Sequence, residues 1–157
     1  MALNEDTLVQ QTTADYLRDA LGWRSEYAYN TEVLGPEGSF GRRSEQEVVL
    51  TRILGEKLIA LNPGLPDAAY RDALRQIVEV GAGLRGMAAN REKYPLLRDG
   101  VKVSYRKPDG ALEARTLRVF DFDTPENNDF LAVRELWVKG ELYRRRPDII
   151  GFVNGIP

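Results

Sequence analysis

The chain of 157 residues contains no cysteine and no histidine. Without cysteine there is no disulfide framework and no thiolate metal site. Without histidine, both the usual general base near neutral pH and the commonest zinc ligand are missing. Chemistry on this chain must use carboxylates, lysine, tyrosine, or a hard, oxygen-bound cation such as magnesium. Long apolar runs are also missing, since no stretch approaches the roughly 20 consecutive apolar residues of a membrane-spanning helix. The start, Met1-Ala2-Leu3-Asn4-Glu5-Asp6, is polar and acidic and lacks the apolar segment of a secretory signal. An excess of positive charge is lacking too. Lys plus Arg number 22 against 24 Asp plus Glu, for a net charge of −2, whereas a dedicated nucleic-acid-binding module tends to be basic. Cations do cluster locally. Arg42-Arg43 reads as a solvated face. Arg144-Arg145-Arg146, beside Pro147-Asp148, fits a phosphate-facing role and a solvated face equally. Tyr143 next to them fits a DNA contact or a strand-end ring packed on a sheet.

What is present has the size and composition of one ordinary domain. The first half has helical periodicity. Residues 5–21 read as an amphipathic helix with Val9, Tyr16, Leu17, Ala20 and Leu21 inward and Gly22 as its stop. Gly35-Pro36, Gly38 and Gly41 make the segment 30–43 a loop. Ser44 and Glu47 have the spacing of a capping box. The apolar positions Val48, Leu50, Ile53, Leu54, Leu58, Ile59 and Leu61 then predict a helix ended by Asn62-Pro63-Gly64. Asp67 is placed to cap a third helix with Leu74, Ile77 and Val78 inward. Residues 85–98 predict a helix interrupted at Pro95.

From Gly100 the period changes. Val101, Val103 and Tyr105 alternate with polar residues, Lys107-Pro108-Asp109-Gly110 reads as a turn, and residues 112–120 return as the partner strand. Asp121, Asp123 and Glu126 lie in an acidic, turn-rich loop, a solvated turn in preference to a cation site. Phe130 to Lys139 is apolar on both faces, as a central strand would be. Glu135 within it is read as an ion-pair partner of Arg134 or a neighbour in preference to an acidic ligand. Trp23 and Trp137 are read as packing residues in preference to base-stacking ones. Residues 148–153 form another apolar strand, and Asn154-Gly155 carries the signal of a type I′ hairpin turn. Only Ile156 and Pro157 follow, so a return strand is expected beyond the residues given.

Asp148 heads that last strand. A carboxylate at the margin of an apolar sheet is costly unless it is paired or metal-bound. On residue physics alone it is read as a strand-start residue or a partner of Arg146.

A resemblance shifts this weighting. The series Asn128-Asp129-Phe130-Leu131, Arg134-Glu135-Leu136-Trp137-Val138-Lys139-Gly140, Tyr143-Arg144-Arg145-Arg146-Pro147-Asp148 and Phe152-Val153-Asn154-Gly155-Ile156-Pro157 resembles the N-terminal region of type I restriction enzyme R subunits. A looser likeness continues through Leu21-Gly22-Trp23, Glu47-Val48-Val49-Leu50 and Asn90-Arg91-Glu92-Lys93-Tyr94.

The resemblance implies an α/β (α+β) restriction-endonuclease-like fold, a mixed sheet flanked by helices with a helical insertion in the first half. Residues 1–157 would be the front part of a PD-(D/E)xK nuclease domain. Pro147-Asp148 matches the PD, making Asp148 a catalytic residue and a magnesium ligand. The Glu-x-Lys would lie on the strand after Pro157, leaving the site incomplete. The family often has a glutamate in its first helix that joins the metal shell, and that place falls at Gln10, or alternatively Gln11. A neutral amide is a poorer magnesium ligand than a carboxylate. The resemblance also implies DNA and the methyltransferase (M) and specificity (S) subunits as partners, cytoplasmic location, and no membrane contact. ATP would drive a helicase motor later in the subunit. No Gly-x-x-x-x-Gly-Lys-Ser/Thr loop occurs here, so ATP is not expected to bind this part. The competing expectation is a non-catalytic module that docks the subunit or holds DNA.

Overall fold

A computed structural model describes residues 5–81 and 86–157, with side chains described from residue 8 onward. In chain order the elements are α1 (Glu5–Leu21), β1 (Arg24–Tyr27), α2 (Thr51–Leu61), α3 (Asp67–Val78), α4 (Met87–Asp99), β2 (Val101–Arg106), β3 (Leu112–Leu117), a 3-10 turn (Pro125–Asn127), β4 (Phe130–Arg134), β5 (Val138–Lys139), β6 (Arg144–Arg145) and β7 (Ile149–Val153). The architecture is mixed α+β. No helix among the described residues is long and apolar enough to cross a membrane. The chain divides into two compact units, one formed by residues 1–53 and 129–157, the other by residues 54–128.

The first unit is built on a three-stranded sheet in the order β1-β4-β7. β1 runs parallel to β4, with Arg24 opposite Leu131 and Tyr27 opposite Arg134. β7 runs antiparallel to β4, with Phe130 opposite Val153 and Arg134 opposite Ile149. Leu131 and Val133 of β4 and Phe152 of β7 enter one apolar cluster with Ala28, Phe40, Leu50, Ile53 and Leu136. Trp23 packs as a structural ring, 5.4 Å from the ring of Phe130 and against Gly151 of β7. The strand β1, with its mostly exposed Arg-Ser-Glu-Tyr, has no apolar alternation and escapes the sequence pattern.

Helix α1 has the expected bounds but turns a different face to the sheet. Ala14 is buried, and Gln10 and Leu17 are half-buried. Val9 and Tyr16, expected inward, are each 62% exposed. The small Ala14 lets the helix approach β1 and β4 closely, while Leu8, Val9, Tyr16 and Leu21, the last also expected inward, lie mostly exposed.

Two further expectations change. The helix foreseen from Ser44 begins at Thr51. Ser44 and Glu47 do form a local turn, with the Glu47 carboxylate accepting the Arg43 N–H at 2.7 Å. The turn does not propagate because its groups are taken elsewhere. Leu50 N–H goes to Gly155 O, Arg52 N–H to Phe40 O, and Arg42 reaches Glu47 O. The apolar run 130–139 is likewise broken in two. Glu135 adopts φ +54°, a left-handed conformation that no strand tolerates, so β4 stops at Arg134 and β5 starts at Val138.

Arg42 departs most from its reading as a solvated residue. It is fully buried. Its guanidinium forms a bidentate pair with Glu32 at 2.5 and 2.8 Å and also donates to Glu47 O and Trp137 O. Arg43 alone keeps the exposed role.

In the second unit β2 and β3 pair in the expected hairpin, Val101 opposite Leu117, and α3 packs on β2. Asp67 is the first helical residue of α3, and Pro66 takes the cap position without a side-chain bond. Ala69, Tyr70, Ala73 and Ile77 are its buried face. The helix expected from 85 is observed from Met87, with Pro95 inside it; Arg85 lies outside the described residues. Lys93 of α4 donates to the carbonyls of Gln76 and Glu79, closing the C-terminal end of α3. The loop expected to be a solvated acidic turn is organised around Asp121. That carboxylate is buried and accepts from the Thr124 N–H at 3.0 Å and the Asn127 side chain at 2.8 Å.

Candidate functional site

The register of the first unit brings one end of its sheet to a common rim. β1 ends there at Tyr27, β4 ends at Arg134 and Glu135, and β7 begins there after Asp148. The Glu135 N–H donates to Asp148 O at 3.0 Å, so the kink at Glu135 is stitched to the residue that opens β7.

Asp148 is exposed, and its carboxylate has no cationic partner among the described residues. It accepts one hydrogen bond, from Gln10 Nε2 to Oδ1 at 2.8 Å. Arg146, the alternative partner read from the sequence, turns elsewhere. It pairs with Glu135 at 3.3 Å and stacks on Tyr29, 4.3 Å from the ring centre. Gln11, the other first-helix candidate, accepts from Arg134 Nη1 at 2.5 Å. The two adjacent glutamines of α1 thus meet two different groups of the rim, and only Gln10 reaches Asp148.

Glu135 is occupied as an ion-pair and hydrogen-bond acceptor. Besides Arg146 it receives the Tyr27 hydroxyl at 3.4 Å. Burial, then the nearby charge of Glu135, hold the Tyr27 phenol above its ordinary pKa, so it stays a neutral donor. No group of three or more acidic residues able to hold a metal ion occurs among the described residues.

The arginine run forms a small hairpin, β5 with β6, Val138 opposite Arg145 and Lys139 opposite Arg144. Its three cations are not equivalent. Arg144 makes a two-pronged pair with Glu45 at 2.6 and 2.7 Å and lies 3.7 Å from the Trp137 ring centre. That pairing holds the Glu45 carboxyl below its usual range. Arg145 is exposed, has no carboxylate partner among the described residues, and lies over Tyr143 at 5.7 Å. Tyr143 is itself exposed, as is Leu142 at the hairpin tip. Glu45, Tyr27 and Tyr29 were not singled out in the sequence, and Arg134 was named only as a partner for Glu135, whose carboxylate pairs with Arg146 instead. Only Glu135 carried a local signal, a charge inside an apolar run.

Over residues 2–157 the sequence matches the family described as type I restriction enzyme R protein N terminus. The chain belongs to that family. It is 37% identical over 156 residues to the type I restriction enzyme HindI endonuclease subunit of Haemophilus influenzae. A second relative, from Methanocaldococcus jannaschii, is provisionally named as the type I restriction enzyme MjaIXP endonuclease subunit and is 28% identical over 163 residues. Each comparison covers 99% of this chain and 14% of the relative. At the rim of β1, β4 and β7 this member of the R-protein family brings Gln10 to Asp148 and Gln11 to Arg134.

Proposed function

We propose that this chain is part of the nuclease region of a type I restriction R subunit, with Asp148 at the centre that hydrolyses double-stranded DNA. The observation that carries this reading is the contact between Gln10 and Asp148. The place that the family resemblance assigns to a first-helix metal contact is the one from which a side chain reaches the Asp of the Pro-Asp pair.

The donor set suits a hard divalent cation at one corner. Asp148 offers an exposed, anionic oxygen donor of the kind magnesium selects. Gln10, a neutral amide, orients that carboxylate. Other ligands would come from water, the DNA phosphate and, in the longer subunit, the acidic residue expected on the strand after Pro157. When bound, the cation supplies Lewis-acid stabilisation of phosphate charge and a place for water. In the reaction a water oxygen bonds to phosphorus, a bridging P–O bond breaks, and the leaving oxygen takes up a proton. The exposed Arg145 and Tyr143 are offered for backbone contact with DNA. Arg144 and Arg146 would reach a phosphate only by sharing themselves with Glu45 and Glu135. ATP-driven translocation, assembly with M and S subunits, and a cytoplasmic setting belong to this reading of the whole subunit.

A second reading is that this region docks the subunit or holds DNA without cutting it, a role the exposed Arg145 and Tyr143 would serve. One assay separates the two. The full-length R subunit, assembled with its methyltransferase partners, is given unmodified circular DNA, magnesium and ATP. Asp148→Ala is expected to abolish cleavage while ATP hydrolysis persists. Unchanged cleavage would leave the docking reading.

A further inference from the structure

The first unit neutralises most of its arginines with carboxylates. Arg24 pairs with Asp129, Arg42 with Glu32, Arg144 with Glu45 and Arg146 with Glu135. Arg134, at the rim and half-buried, has no carboxylate partner among the described residues. Its guanidinium lies 5.3 Å from the Tyr27 ring centre, and Nη1 donates to the neutral Gln11 amide. Its Nε is buried and meets no acceptor. A cation partly withdrawn from water, meeting a ring and a neutral amide but no carboxylate among the described residues, with one donor unmet, is costly as it stands. An anion at the rim would offset that cost.

We propose that Arg134 contacts a DNA phosphate and positions it beside Asp148; the inference rests on the nuclease reading above. Adjacent residues of α1 hold the two charges, Gln10 on Asp148 and Gln11 on Arg134. In the sheet Arg134 stands opposite Ile149, the residue following Asp148. A carboxylate that can hold a divalent cation and a guanidinium with spare donors are thus held by consecutive residues of one helix. A phosphodiester needs both, because its non-bridging oxygens accept from a guanidinium fork and also ligate a metal. The stack on Tyr27 pre-orients the fork, which limits the entropy lost when the phosphate arrives.

The test compares Arg134→Gln, Arg134→Lys and Asp148→Asn in the full-length subunit. Binding of a short fluorescent duplex is followed in EDTA over a range of salt, with melting temperature, ATP hydrolysis and cleavage alongside. Arg134→Gln is expected to weaken binding several-fold, lower the salt slope by about one, and slow cleavage at least tenfold, with melting and ATP hydrolysis unchanged. Arg134→Lys keeps the charge and should restore the slope and most of the binding. Asp148→Asn should lose cleavage and retain binding. If Arg134→Gln binds and cuts like wild type while Asp148→Asn does not cut, the Arg134 inference fails and the nuclease reading stands. If both Arg134 variants melt lower and bind equally poorly, Arg134 is a packing residue and the inference also fails. If Asp148→Asn cuts normally, the nuclease reading itself is wrong.

Discussion

Single residues in this molecule differ sharply in how much rests on them, and burial decides which. Arg42 and Glu32 form a charge pair withdrawn from water, and Arg42 also satisfies two carbonyls. Removing one member of a buried pair strands the other charge, at a cost of about 3–5 kcal/mol. Arg42→Ala should therefore lower stability in urea unfolding by about that amount, and Arg42→Ala with Glu32→Gln should recover part of it. A loss under 1 kcal/mol, the order expected of an exposed pair, would show that the pair is solvated after all. Arg98 with Asp99 is the contrast, since both side chains are mostly exposed and truncating either should change little. Adjacent letters in the sequence conceal this difference. Arg42 and Arg43 read alike, and only the partner ten residues back, Glu32, makes one of them structural.

At the scale of elements, the Asn154-Gly155 turn was legible and holds more than a hairpin. Both residues have positive φ, 52° and 82°, as a type I′ turn requires, and Val153 bridges to Ile156. The Asn154 side chain also accepts the Asp129 N–H at 2.7 Å at the start of β4. Asn154→Ala would leave that buried donor unmet and strain the left-handed backbone, at a cost of about 1–3 kcal/mol. Thermal melting with the β4–β7 amides followed by hydrogen exchange would check it; unaltered protection at residues 129–131 would contradict the assignment. Elements with local signals were readable: α1 with its glycine stop, the β2–β3 hairpin, and β7 headed by Asp148. Those decided by distant partners were not. The start of α2 depends on Gly155 and Phe40, and the break at Glu135 depends on Asp148. The site followed the same rule. Asp148 and Gln10 were singled out through family register, whereas the stacking of Arg134 on the Tyr27 ring emerges only when β1 is laid beside β4.

Across the whole molecule, several carboxylates titrate below their ordinary range, in both units. Asp121 is lowered first by the Asn127 amide and then by the Thr124 N–H, Asp72 and Glu113 by hydrogen bonds from neighbouring cations, and Glu45 by Arg144. A depressed folded pKa contributes stability above the unfolded value, near pH 4 for these groups, and loses it as pH falls through the folded value. Melting temperature should hold from pH 7 to about pH 5 and then fall as the solution is acidified below about pH 4. Added salt should blunt the Glu45 contribution, which is partly exposed, more than that of Asp121, which is buried. A melting temperature that rose below pH 4 would contradict the account.

The division of the chain also orders its manufacture. Residues 54–128 are contiguous, and among the described residues every strand pairing they make is with one another. The sheet that carries Asp148 is assembled from both ends of the chain, with Arg24 waiting for Leu131 and β4 waiting in turn for β7. A ribosome therefore releases everything needed for the β2–β3 hairpin while β1 still lacks the strand beside which it lies. During that interval the edge of β1 that β4 will cover, Arg24 to Tyr27, carries unpaired backbone groups that another strand could borrow.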